Sequence, residues 1–313
     1  MSDTNPAPTS VLHQLNQANR RLEILLHNLR NEHNAEYEIR DIAREVIETV
    51  AINPDVALAC VFLTQINGSY AVRHCIETAV VMVVIARSMN MSPAQTLTVT
   101  AAALTMNVGM LRHHEAFQNK NTLNSEEMAI VRRHPEESVD MLRCVGVDDE
   151  EWISCVLLHH ENDEGSGYPA GVASPEVTLN AKLLSLADRY CAQVSARNYR
   201  KSVLPSVALR NLIEDRVAPV DPVLVQYLQR ELGEYPPGCL VRLQDGATGV
   251  VCHRLEGNQG VQVYCLRDPA GAALPPDTLR CTGSDCSIAG ALSEDEAAVR
   301  FSMKQVWGPL ASL

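Results

Sequence analysis

Residues 159–169 read His-His-Glu-Asn-Asp-Glu-Gly-Ser-Gly-Tyr-Pro, and the interpretation of the whole chain starts from this stretch. Two adjacent histidines beside carboxylates are typical of metal-binding sites. Neighbouring residues of a helix point about 100° apart, so His159 and His160 can reach one ion only where a helix ends or bends. The glycines that follow permit such an end. We therefore interpret this stretch as the end of a helix that carries a candidate metal site.

The composition predicts a mainly α-helical fold. The chain has 313 residues, of which 46% are hydrophobic but only 4% are aromatic. The core must therefore be aliphatic, which favours packed helices over an aromatic-rich β-sandwich. A heptad-like stripe of apolar residues also appears near the start of the chain, at Val11, Leu15, Ala18, Leu22, Leu25 and Leu29. Such a stripe indicates either a helix packed on the rest of the protein or a homodimer seam through residues 11–29.

Charge and hydropathy exclude several classes of partner. The net charge is −12 and no run of Lys or Arg is longer than two, so general DNA or RNA binding is not expected. The longest apolar run, 79–86, is far shorter than the roughly 18–20 residues that a membrane span requires. Ten cysteines occur without a Cys-x-x-Cys pair, and no secretory signal is evident. We expect reduced thiols and a cytoplasmic location.

The periodicity divides the chain into four segments. We expect a tail and helical arm at 1–50, a helical domain at 51–233, a small antiparallel β module at 234–282, and a C-terminal helix and tail at 283–313. Within these segments we expect a loop at 111–123, a kink or break at Pro135, and one final helix from Ser293 to about Trp307.

Several motifs in order resemble the HD-GYP family, a branch of the HD-domain metal-dependent phosphohydrolases that are typically cyclic di-GMP phosphodiesterases. Besides 159–169, the resemblance rests on Tyr70-x-x-x-His74, Asn119-Lys120-x-x-Leu123, His134-Pro135, Ala187-Asp188-x-Tyr190, Arg197-x-Tyr199-Arg200 and Tyr235-Pro236-x-Gly238. The chain is identified as a member over about residues 50–282. The resemblance implies an HD-type helical bundle with a helical N-terminal arm and a small C-terminal β module.

The resemblance also implies a set of functional residues. One metal position would retain only His74 and Asp188, and the second would retain His134, His159 and His160. The implied substrate-binding residues are Arg197, Arg200, Gly167, Tyr168 and Pro169.

The chain departs from the family in the motif that names it. Where members carry His-Asp-x-Gly-Lys, this chain has Met106-Asn107-Val108-Gly109-Met110. Met106 is a poor ligand for Fe, Mn or Mg, Asn107 cannot supply a bridging negative charge, and Met110 cannot contact a phosphate as a lysine would.

Three metal states follow from this departure. The site could hold no metal, one divalent ion (Fe, Mn or Zn) on the three histidines, or two ions through a replacement ligand. We do not expect two ions. His113 and His114 are the candidates for replacement ligands, and the alternative is that both are solvent-exposed loop residues.

The altered motif predicts a catalytically degenerate protein of bacterial cyclic di-GMP signalling. It would act by binding the nucleotide or a partner protein such as a diguanylate cyclase. The alternative is a metal-dependent phosphodiesterase or phosphohydrolase that uses the remaining His134, His159 and His160 site. A third hypothesis is a structural dimer built on residues 11–29.

Overall fold

The computed structural model describes residues 9–118, 120, 122–195, 202–255, 260–275, 279–281 and 287–313. The fold is mainly α-helical with a small antiparallel sheet, as predicted. The helices are α1 (Val11–Asn28), α2 (Ala35–Ile52), α3 (Pro54–Phe62), α4 (Tyr70–Ser88), α5 (Pro93–Thr105), α6 (Leu111–Gln118), α7 (Ser125–Cys144), α8 (Glu150–Leu158), α9 (Leu179–Val194), α10 (Pro205–Glu214), α11 (Pro222–Leu232), α12 (Glu294–Ala297) and α13 (Met303–Trp307). A 3₁₀ turn at Val108–Met110 joins α5 to α6, and others lie at Leu29–Asn31 and Gly308–Ala311.

Helix α4 is the centre of the bundle. Residues 79–86 form its apolar run, and all of them are buried. Helices α1, α2, α3, α5, α9 and α11 pack around α4. A helix that is apolar on every side is stable in water only when other elements cover it completely, so this run fixes α4 in the interior. Among the described residues, no helix is both long and apolar enough to cross a membrane.

The apolar stripe of α1 packs within the same chain. Its members are at most 6% exposed and belong to the main hydrophobic core, against α2 and α4. The prediction of a homodimer seam on these residues is therefore wrong, because the rest of the chain already covers the stripe. The other interpretation, a helix packed on the protein, is the one that the structure supports.

The β module is a five-stranded antiparallel sheet. Its strands are β1 (Leu240–Leu243), β2 (Thr248–Arg254), β3 (Val261–Arg267), β4 (Leu279–Cys281) and β5 (Ile288–Leu292), in the order β4-β3-β2-β1-β5. Strand β5 lies beyond the predicted end of the module at 282, so that boundary is too early. Buried Asp55 of α3 attaches the sheet to the bundle, since it accepts from Arg254 Nε at 3.2 Å and its carboxylate also contacts His253 Nδ1.

The C-terminal segment forms two short helices where one was predicted. Ser293 caps α12 in a capping box with Glu296, as expected, but Ala298 adopts a left-handed conformation and ends the helix. The chain then returns to the bundle, where Met303 and Ala311 are buried in the main core. The Ser10 hydroxyl, which caps α1, also donates to the carbonyl of Ser312 at 2.5 Å.

An expected loop and an expected helix break differ from the structure. The predicted loop at 111–123 contains helix α6. Helix α7 runs without interruption through Pro135, which lies inside it and is buried. A proline is tolerated within a helix when another donor satisfies the carbonyl that it leaves free. Here the donor is the ring of His134, which lies against the Val131 carbonyl.

We expect the buried stripe of α1 to contribute to the stability of the monomer. Leu22→Ala should lower the free energy of unfolding by about 2–5 kcal/mol, because it opens a cavity in the core. Ile24→Ala on the same helix, at a position that is 66% exposed, should change it by no more than about 0.5 kcal/mol. Urea denaturation measures both. Equal effects would contradict the burial of the stripe.

Candidate metal centre

Four helices bring the predicted ligands together. His134 lies in the middle of α7, His159 follows the last residue of α8, and His160 comes next. His74 lies on α4 and Asp188 on α9. Among the described residues, His134, His159 and His160 form a group in which one ligand atom from each lies within 4.8 Å of the others. We call these three residues the histidine triad.

Backbone carbonyls orient two of the three imidazole rings. His134 Nδ1 lies 2.6 Å from the carbonyl oxygen of Val131, and His159 Nδ1 lies 2.7 Å from that of Val156. A carbonyl can only accept a hydrogen bond, so each Nδ1 carries the proton and each neutral ring has a lone pair on Nε2.

The sequence explains why these carbonyls are available. Pro135 has no N–H, so the helical hydrogen bond to Val131 is not made and the carbonyl accepts from the His134 ring. Val156 lies in the last turn of α8, where carbonyls have no partner within the helix. The His-Pro dipeptide and the helix end therefore orient both rings.

Burial keeps the triad neutral. Desolvation and the neighbouring His159 lower the pKa of His134 to about 3. Desolvation likewise lowers the pKa of His159, and it lowers that of His160 well below its ordinary value, with a contribution from the charge of His159. Neutral imidazoles are the form that binds metal ions.

The triad fits one metal ion. The Nε2 atoms of His134 and His159 lie 3.3 Å apart, and both present lone pairs. Two nitrogens at about 2.1 Å from one tetrahedral ion lie about 3.4 Å from each other, so the observed spacing suits two ligands of the same ion. Three neutral nitrogens favour zinc or iron over manganese, which prefers carboxylate oxygens.

His74 and Asp188 form a direct pair beside the triad. His74 Nε2 lies 2.7 Å from Asp188 Oδ1, and both residues are buried. Burial raises the pKa of Asp188, but the hydrogen bond from His74 and the nearby imidazoles outweigh that effect and hold it well below its ordinary value. The carboxylate is therefore ionised, and its negative charge acts on all three rings of the triad. The pair therefore lies beside the triad, but neither residue belongs to the group of converging ligand atoms found among the described residues.

The altered motif is packed into the core next to the triad. The Met106 side chain is fully buried in the main hydrophobic core. Asn107 is also buried, and its Oδ1 is one of the few buried side-chain oxygens without a hydrogen-bond partner in the described part of the chain. The Ser138 hydroxyl donates to the Met106 carbonyl at 3.0 Å and accepts from the Gly109 N–H at 2.9 Å. Ser138 therefore attaches this turn to α7.

Gly109 is retained for a packing reason. A Cβ at this position would lie 2.6 Å from the His134 carbonyl oxygen and 2.6 Å from the Ser138 nitrogen. Only glycine lets the 3₁₀ turn approach the backbone of α7 this closely. The residue positions the helix that carries His134, whatever chemistry the site performs.

The Gly-Tyr-Pro loop folds back onto the end of α8. A Cβ on Gly167 would lie 2.5 Å from both the His160 carbonyl oxygen and the Glu161 Cα atom, and the Tyr168 N–H donates to the same carbonyl at 3.1 Å. The Tyr168 ring then stacks on the His160 ring, with centroids 4.7 Å apart and planes 28° apart. This loop covers the face of His160.

Glu161 holds that loop and was not predicted as a site residue. Its Oε1 accepts from the N–H groups of Ala170 and Gly171, at 2.8 and 2.9 Å. Its position directly after the two histidines is the sequence signal that could have identified it. Ser138 carries no comparable signal, because only the packing of α7 against the 3₁₀ turn reveals its role.

The remaining predicted residues divide into two groups. His113 and His114 lie on α6 and not in a loop; His113 is exposed, whereas His114 is half-buried, with its ring 5.3 Å from that of Tyr70. Neither belongs to the group of converging ligand atoms found among the described residues. Arg197 and Arg200 lie outside the described residues.

We expect Gly109→Ala to destabilise the protein by about 1–3 kcal/mol, because the added methyl group forces the 3₁₀ turn away from α7. Gly290→Ala is the matched control, since a Cβ there meets nothing within 4 Å. Urea denaturation of both variants measures the effect. An equal change in the two variants would contradict the packing role of Gly109.

Comparisons with known proteins agree with this architecture. A protein-family model described as HD domain matches residues 57–224. A Pseudomonas aeruginosa protein named as a cyclic di-GMP phosphodiesterase is 29% identical over 212 residues, which cover 67% of this chain and 51% of that protein. The cyclic di-GMP phosphodiesterase PdeB of Borreliella burgdorferi is 22% identical over 197 residues, which cover 63% and 52%. The chain thus spans about half the length of these relatives.

A solved structure supports the same fold. An HDG"Y"P protein from Bdellovibrio bacteriovorus superposes with a TM-score of 0.59 at 18% identity, over 73% of this chain and 74% of that one. At that identity the match concerns the fold alone. The family model covers more than half of the chain. This protein is therefore a member of the HD-domain family, as its resemblance to the HD-GYP branch implied.

Proposed function

We propose that this protein is a catalytically degenerate HD-GYP-type protein of bacterial cyclic di-GMP signalling that acts by binding. Its ligand would be cyclic di-GMP or a partner protein such as a diguanylate cyclase, and it would act in the cytoplasm. The observation that carries the proposal is the pair Met106-Asn107, which stands where the family has His-Asp. The relatives named as cyclic di-GMP phosphodiesterases support the nucleotide.

The loss of the bridging carboxylate argues against turnover. A two-metal site stabilises the attacking and leaving oxygens of a phosphate ester together, which a single ion cannot do. Asn107 offers a neutral oxygen, and Met106 belongs to the hydrophobic core. Loss of several kcal/mol of charge stabilisation corresponds to a rate lower by on the order of 10³-fold.

We also propose that the histidine triad holds one divalent ion, zinc or iron. The converging Nε2 atoms, the neutral rings and the adjacent Asp188 carboxylate support this assignment. When bound, such an ion would act as a Lewis acid toward a phosphate oxygen. His74 and Asp188 would remain paired with each other, and Asp188 would lend negative charge to the site.

The purified protein is expected to contain one zinc or iron ion per chain, because only one ligand set is complete. His134→Ala and His159→Ala should each remove most of the metal. His113→Ala should leave the metal content unchanged, since this histidine is exposed on α6. Elemental analysis by mass spectrometry measures the content. Two ions per chain would support the enzymatic alternative, and no ion would rule out the proposed metal site.

No manganese- or iron-dependent hydrolysis of cyclic di-GMP is expected above the rate of a His159→Ala/His160→Ala control. The double reversion Met106→His with Asn107→Asp should raise the metal content to two ions and introduce turnover, because it restores the bridging carboxylate. Product analysis by chromatography follows the reaction. Turnover by the unmodified chain would establish the alternative, a phosphodiesterase that uses the triad alone.

Cyclic di-GMP is expected to bind the metal-loaded protein, and isothermal titration calorimetry measures the affinity. His160→Ala should weaken binding, because it removes both a ligand of the ion and the ring on which Tyr168 stacks. His113→Ala again serves as the control. Absence of any measurable affinity in the unmodified protein would rule out the nucleotide and leave the partner protein as the proposed ligand.

A further inference from the structure

Arg132 places a positive charge at the edge of the candidate site. It lies on α7, two residues before His134, and its side chain is exposed. The guanidinium carbon is 5.3 Å from the centroid of the Tyr168 ring, which in turn stacks on the His160 ring at 4.7 Å. The three side chains thus form a continuous stack from the surface to the histidine triad.

No carboxylate of the described residues lies within ion-pairing distance of Arg132. The next residue, Arg133, pairs with Glu137 at 2.7 Å. The chain has 38 acidic residues against 26 basic ones, yet Arg132 is one of several described arginines for which no ion pair with a carboxylate is found. Its contact is instead the face of an aromatic ring, which attracts a cation and holds it in place.

The position of the guanidinium suits a ligand at the site. It lies over the Tyr168 ring, which covers the His160 ring of the triad. A planar guanidinium can donate two parallel hydrogen bonds to a phosphate group, which gives it a geometric preference for that ligand.

We propose that Arg132 binds a phosphate group of the nucleotide at the triad and supplies the cationic contact that Met110 cannot make. This inference rests on the proposed nucleotide-binding function and names a recognition residue for it. Arg132 would donate hydrogen bonds to the phosphodiester, and the triad with its ion would fix the position of that group. The competing interpretation is a solvated surface arginine with no ligand.

Calorimetric titration with cyclic di-GMP tests this proposal. The titrated proteins are three metal-loaded variants: Arg132→Ala, Arg132→Lys and Arg133→Ala. We expect Arg132→Ala to weaken binding by about tenfold or more, because a charge-assisted hydrogen bond is lost. Arg132→Lys should recover part of the affinity, since it keeps the charge but not the paired donors. Arg133→Ala, on the same helix and equally charged, should bind like the unmodified protein.

Two control measurements separate recognition from structural damage. Metal content and the thermal unfolding midpoint should be the same in all three variants, because Arg132 contacts neither the ion nor the core. If the unmodified protein and Arg132→Ala bind cyclic di-GMP equally well, the role of Arg132 is overturned and the proposed function stays intact. An unmodified protein that does not bind cyclic di-GMP would overturn the role of Arg132 together with the nucleotide as the proposed ligand, and would leave only the partner protein.

Discussion

The geometry of the site depends on two backbone carbonyls that the helices leave without a helical donor. Pro135 frees the carbonyl of Val131, and the end of α8 frees that of Val156. Each accepts from the Nδ1 atom of a histidine, so both rings are held with Nε2 facing the same point. Two lone pairs 3.3 Å apart at a buried site repel each other unless a cation lies between them.

The helices that carry these rings are fixed by contacts away from the site. Asp149 caps α8 and also accepts from Arg40 of α2 and Thr98 of α5, at 2.8 and 3.0 Å. Ser138 and Gly109 attach α7 to the turn after α5. This division explains the pattern of the altered motif. Gly109 is needed for backbone packing and is retained, whereas Met106, Asn107 and Met110 stand where the resemblance implies His, Asp and Lys.

Sequence patterns predicted most helices of the bundle, because capping residues and apolar periodicity are local signals. Pro93 after Ser92, and the alternation of β1 to β3, are of this kind. Predictions were wrong where long-range contacts decide the outcome. Helix α6 has only three apolar residues, and β5 becomes a strand only by pairing with β1. The apolar stripe of α1 has two possible partners, and only the packing of α2 and α4 selects between them.

For the site, the sequence by itself determined which side chains are present: four histidines and one carboxylate as candidate ligands, and an asparagine where the family motif has the bridging aspartate. Motif spacing was sufficient for that, since side-chain chemistry does not depend on the fold. Only the tertiary structure decided the tautomers of His134 and His159, the pairing of His74 with Asp188, and the stacking of Tyr168 between His160 and Arg132. These features join residues of α4, α7, α9 and the loop after α8. Their directions and distances are properties of helix packing, which the spacing of residues along the chain does not specify.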